Sequence, residues 1–149
     1  MLNKLKSFFA EVKDDAADKR ERHMHLAAAV LLFEVAKADH VVEPEEEQQL
    51  QKVLREYWEL DEDSLHDLLE VAASQSELNV SLHEQMEVIN KHFSQQEKYE
   101  LLCGLWSVAL ADQKAHHYEE HLIRRLADML YLSHSQFIKA KCEVMDAVS

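Results

Sequence analysis

The sequence predicts an all-α protein: one helical bundle of seven to eight helices, built on an internal duplication of a three-helix unit. Three observations carry this reading. The 149 residues hold one glycine, Gly104, and one proline, Pro44, so the turn residues that all-β folds need are missing. Serine stands three residues ahead of Glu or Gln at several points, the spacing of a helix capping box. The chain also resembles itself at a shift of 73 residues.

The elements follow in order. Leu2, Leu5, Phe8, Phe9 and Val12 form an apolar stripe with Lys4, Lys6 and Lys13 beside it. Within a single domain spanning 1–149, residues 1–14 are therefore set apart as an amphipathic N-terminal helix, near 2–12. A second helix is expected near 17–38. Its segment 26–36, like 101–111, is apolar on nearly every face, which marks two buried central helices. Pro44 suits a first helical position, and Glu45, Glu46 and Glu47 suit the positive start of a helix near 44–58. There Leu50, Val53, Leu54 and Tyr57 recur at i, i+3, i+4, i+7. Asp61 can cap a helix near 62–77 through Leu65, Leu68 and Leu69. Ser81-Leu82-His83-Glu84, Ser94-Gln95-Gln96-Glu97 and Ser133-His134-Ser135-Gln136 fit capping boxes for helices near 81–92, 95–112 and 134–147. Leu122 or Ile123, with Leu126, Met129 and Leu130, marks another near 117–130. The links are short, as bundles prefer.

The 73-residue shift lays Leu32, Val35, Ala36, Ala38, Asp39, Glu46 and Glu47 on Leu105, Val108, Ala109, Ala111, Asp112, Glu119 and Glu120. Leu50 falls on Ile123 and Val53 on Leu126. Each unit reads as a buried helix, an acidic turn, an amphipathic helix and a capped third helix. Packed by approximate two-fold symmetry, the units would bury their apolar helices against each other.

Composition removes several functions. One glycine excludes Walker-A and dinucleotide-binding loops. Cys103 and Cys142 alone make no disulfide framework and suit a reducing compartment. The net charge is −13, and residues 39–100 hold 17 acids and four bases, the whole excess. That stretch would repel a phosphate backbone, so nucleic acid is not an expected partner; cations and basic proteins are. The longest apolar run, 26–33, is too short to span a bilayer, and the start lacks a signal-peptide stretch. A cytoplasmic protein is expected, with peripheral membrane contact through residues 2–12 as an option beside packing of that stripe on the bundle.

The chemistry sits at the repeated Ala-x-Ala-Asp-x6-Glu-Glu. Asp39 and Asp112 close the buried helices, and Glu46 and Glu119 enter the next ones seven residues later. A short turn brings such carboxylates together, where they repel. Either backbone amides at the helix start hold them, or a hard cation with oxygen ligands does. Asp39, Glu46, Asp112 and Glu119 are thus the candidate metal ligands. The spacing is not that of an EF-hand, since Val41 holds the third position and no glycine follows. His116, His117, Glu120 and His121 form a second tier. The ion would be calcium, magnesium or manganese, or zinc if the histidines join. His117-Tyr118-Glu119-Glu120-His121 also matches H-x-x-E-H, the signature of inverted zinc proteases. A metal-dependent hydrolase is therefore the alternative to a non-catalytic protein.

Residues 32–47, with Val-Ala-x-Ala-Asp and Pro-Glu-Glu-Glu, and residues 105–112 with 118–128 resemble the TerB-like family of tellurite-resistance proteins. The likeness covers roughly 24–145. It implies an all-helical bundle with internal duplication, a setting in bacterial tellurite and chemical-stress gene clusters, and an acidic centre proposed to bind metal. A related domain precedes the J-domain of a membrane-bound co-chaperone, so a protein partner is expected. The family's Asp is usually followed by Gly, where this chain has His40 and Gln113. The resulting expectation is a non-catalytic stress-response module, with a purely structural interaction domain as a further alternative. Cys103 is expected to be an inert core thiol and Cys142 exposed. His23 and His25 are expected on the solvated surface, and Trp58 and Trp106 in the core.

Overall fold

A computed structural model describes the backbone of residues 16–38, 44–58, 60–77, 82–111 and 117–148, and the side chains of 21–38, 44–56, 60–75, 82–111 and 119–147. The expected helix near 2–12 lies outside the described residues. Among those described the chain is all-helical: α1 (Ala16–Ala36), α2 (Pro44–Trp58), α3 (Glu62–Glu77), α4 (His83–His92), α5 (Gln95–Ala109), α6 (His117–Met129) and α7 (His134–Val148).

The two all-apolar segments are the centre of the molecule. Leu26 to Leu32 in α1 and Leu101, Leu102, Leu105, Trp106 and Val108 in α5 are buried, and the two helices pack on each other. Around them the neighbours fall into matching sets. α2 and α6 each touch both central helices; α3 lies on α1, and α7 lies on α5. α4 packs on α1. The amphipathic helices turn one stripe inward: Leu50, Val53 and Leu54 in α2, Ile123, Leu126 and Ala127 in α6.

Helix starts are set by local hydrogen bonds. At α5 the Glu97 amide donates to Ser94 Oγ (3.1 Å) and the Ser94 amide to Glu97 Oε1 (2.8 Å). At α7 the Gln136 amide donates to Ser133 Oγ (3.1 Å) and the Ser133 amide to Gln136 Oε1 (2.9 Å). At α3 the Ser64 amide donates to Asp61 Oδ1 at 2.7 Å, and that bond holds the Asp61 carboxyl below its ordinary range. The box expected at Ser81 falls on a residue outside the described ones. The described α4 begins at His83, with Leu82 at its N-cap and packed against the core. α1 and α5 end earlier than their apolar pattern, in turns at Lys37 and Leu110.

α6 ends in a Schellman turn. The Tyr131 amide donates to the Asp128 carbonyl and the Leu132 amide to the Ala127 carbonyl, both at 3.0 Å. The turn needs a left-handed residue, normally glycine; here Tyr131 adopts φ 60°.

Candidate functional site

The acidic corners lie at the starts of α2 and α6. In α2, Pro44, Glu45 and Glu47 are exposed, while Glu46 is fully buried. Glu46 stands four, seven and eight residues before Leu50, Val53 and Leu54, so it opens the stripe that α2 turns to the core. Glu119 holds the same relation to Ile123, Leu126 and Ala127, and it too is fully buried. Among the described residues these are the two acids in the buried class. Burial of a carboxylate is costly unless neighbours engage it, and both side chains do interact with neighbours. The first turn of a helix suits them, because its amides and its dipole favour negative charge.

Asp39, Asp112 and His116 lie outside the described residues, as does the His117 side chain, whose backbone opens α6. The other second-tier residues point to different surroundings. Glu120 is half-buried and ion-paired with Lys141 of α7 at 3.1 Å. His121 is exposed. Among the described residues no three His, Cys, Asp or Glu side chains gather as a metal group would. The full burial of Glu46 and Glu119 is a feature that the motif spacing alone did not announce. The signal was present in the i+4, i+7, i+8 relation to the apolar stripe.

His25 corrects an expectation. It is buried, at 7% exposure, whereas His23 beside it is exposed. Burial, aided by the Arg22 charge, lowers its pKa to about 4. Glu21 Oε1 stands 3.8 Å from His25 Nε2, but this exposed carboxylate does not outweigh desolvation. Cys103 is half-buried, and burial pushes its thiol up to about 11. Its Sγ lies 3.9 Å from Glu143 Oε2, and Cys142 is exposed. Trp106 is fully buried against Phe137, ring centroids 5.1 Å apart.

The sequence matches a family model described as Tellurite resistance protein TerB over residues 25–142. The chain belongs to the TerB family. No curated protein and no solved structure matches it. The TerB match begins at His25, within α1, and ends at Cys142, within α7. It therefore takes in both acidic corners and leaves out the N-terminal segment. Among the described residues no helix is long and apolar enough to cross a membrane.

Proposed function

We propose that this TerB-family chain is a non-catalytic, cytoplasmic stress-response module that binds a divalent cation or a basic partner at two duplicated acidic corners. Asp39 with Glu46 would form one corner and Asp112 with Glu119 the other. One observation carries the reading: the two glutamates that coincide under the 73-residue shift are both fully buried, each at a helix start. Surface acids that merely solvate a helix face would not be drawn inside twice at matching positions.

The fit to a cation rests on donor chemistry. Glu46 and Glu119 offer carboxylate oxygen, the ligand that calcium, magnesium and manganese take. Glu120 is engaged by Lys141 and His121 faces solvent, which favours a hard cation over zinc. The same pairing of Glu120 supports a binding role over hydrolysis through His117, Glu120 and His121, since a general base must be free to take a proton. A bound cation would neutralise the crowded carboxylates and tie the start of each amphipathic helix to the end of the central helix before it. The −13 net charge of the chain supports a basic surface on any protein partner.

The test is thermal unfolding with calcium, magnesium, manganese and zinc in turn, for the natural chain and for Asp39→Ala with Asp112→Ala. An ion at 100 times its Kd should add about 2.7 kcal/mol, or roughly 5–10 °C in Tm. The double variant should keep its helix content and lose the shift. Unchanged melting at millimolar metal, with no loss on chelation, removes the cation. A double variant that unfolds in chelator makes the acids purely structural.

A further inference from the structure

α7 carries two apolar faces. Phe137, Ala140 and Val144 turn one of them towards the core. Ile138, Cys142 and Met145 recur at i, i+4, i+7 on the opposite side, and all three are exposed. Among the described residues the exposed large hydrophobics are Met129, Tyr131, Ile138 and Met145, all from the end of α6 onward. Side chains of this kind scattered singly need no explanation, but a stripe along one helix is the surface that helix pairing uses.

We propose that this stripe is covered by the same stripe of a second copy of the chain, α7 against α7, antiparallel about a two-fold axis near Cys142. Charge selects that occupant. Lys139 and Asp146 lie seven residues apart on one flank of the stripe, on either side of Cys142. An antiparallel two-fold sets Lys139 of each copy beside Asp146 of the other, and Ile138 beside Met145, with the two Cys142 side chains at the centre. The Lys139 ammonium also stands 5.3 Å from the centroid of its own Tyr99 ring in α5. Net charge agrees. The chain carries −13, yet residues 134–148 hold Lys139 and Lys141 against Glu143 and Asp146 and are neutral. Copies of an acidic chain meet with least repulsion on such a face. On the other flank Lys141 is ion-paired within its own copy to Glu120 at 3.1 Å, so the axis does not bring two bare ammonium groups together.

The experiment is sedimentation equilibrium of the full chain up to millimolar concentration, where the natural chain should show a monomer–dimer equilibrium. Lys139→Glu and Asp146→Lys each set like charges at both contacts, and each should weaken the dimer about tenfold or more at unchanged helix content. An equimolar mixture of the two should recover it, because opposite charges meet again at both contacts. Ile138→Asp, a change at an exposed position, should abolish association. A measurement on the natural chain alone stands beside the variants: alkylation of Cys142 by iodoacetamide should slow as the chain concentration rises into the dimer range. A natural chain that stays monomeric overturns the proposal, as does an alkylation rate that is the same at every concentration. A dimer that the single variants leave intact overturns it by placing the contact on another face. A mixture that fails to recover the dimer overturns the antiparallel pairing.

Discussion

Glu120 of α6 accepts a 3.1 Å hydrogen bond from Lys141 of α7, and the same ammonium stands 5.3 Å from the centroid of the Trp106 ring in α5. One cation thereby links three helices. Both partners of the ion pair are about one-third exposed, so solvent screens it, and the ring contact adds to what a surface pair would contribute. Lys141→Met should lower stability by about 1 kcal/mol, and Glu120→Gln by less, since the ring contact survives. Urea unfolding of both variants checks this. Equal losses would mean that the ring contributes nothing.

Tyr131 offers a test of backbone conformation. A non-glycine residue in the left-handed region costs roughly 1 kcal/mol, and Tyr131 sits there with 75% of its surface exposed. Lys98 Nζ lies 5.7 Å from its ring, a contact that offsets part of that cost. Tyr131→Gly should raise stability by about 0.5 kcal/mol, and Tyr131→Val should lower it by about 1 kcal/mol, because a β-branched side chain fits φ 60° worst. Thermal melting of the two variants reads the difference directly.

The buried His25 predicts a pH dependence. Its pKa of about 4 lies below the ordinary 6.5, so the unfolded chain binds the proton more tightly than the folded one. The native state is therefore fully favoured above pH 6.5, and stability falls as pH drops from 6.5 towards 4. The loss from this group approaches about 3 kcal/mol once both states are protonated. His25→Leu should flatten the slope of unfolding free energy between pH 6.5 and 4 while leaving other acid-sensitive steps in place. An unchanged slope would put the dependence on other groups.

The two thiols should separate chemically. With its pKa near 11, Cys103 holds on the order of one-hundredth of the thiolate of an ordinary cysteine at neutral pH. Iodoacetamide should therefore modify the exposed Cys142 first, with Cys103 protected until the chain unfolds. Peptide mass spectrometry after timed quenching resolves the order.

The helices were legible because their causes are local. Ser94 and Glu97, or Ser133 and Gln136, make both bonds of a capping box within four residues, so spacing is enough to place α5 and α7. Leu50, Val53 and Leu54 announce the inner face of α2 in the same way. At α4 the N-cap position is Leu82, which packs against the core and offers no side-chain cap.

The candidate site was legible in kind but not in surroundings. Residue types and the 73-residue shift singled out Glu46 and Glu119, and chain periodicity places them ahead of apolar stripes. Their complete burial depends on α1 and α5 lying against both helices. Glu120 looked equivalent in sequence to any acid of an H-x-x-E-H string, until Lys141, 21 residues on, was found beside it. His25 and His23 have similar local contexts, and only the packing of α1 separates the buried ring from the exposed one.

Local backbone bonding and helical periodicity thus specify the all-helical class, the helices to within a few residues and the acidic corners from residue order alone, since each acts over a turn or two. Burial, pairing and pKa depend on which distant helix arrives at a given face. Desolvation and charge pairing are contacts across space, and no spacing along the chain encodes them until the bundle closes.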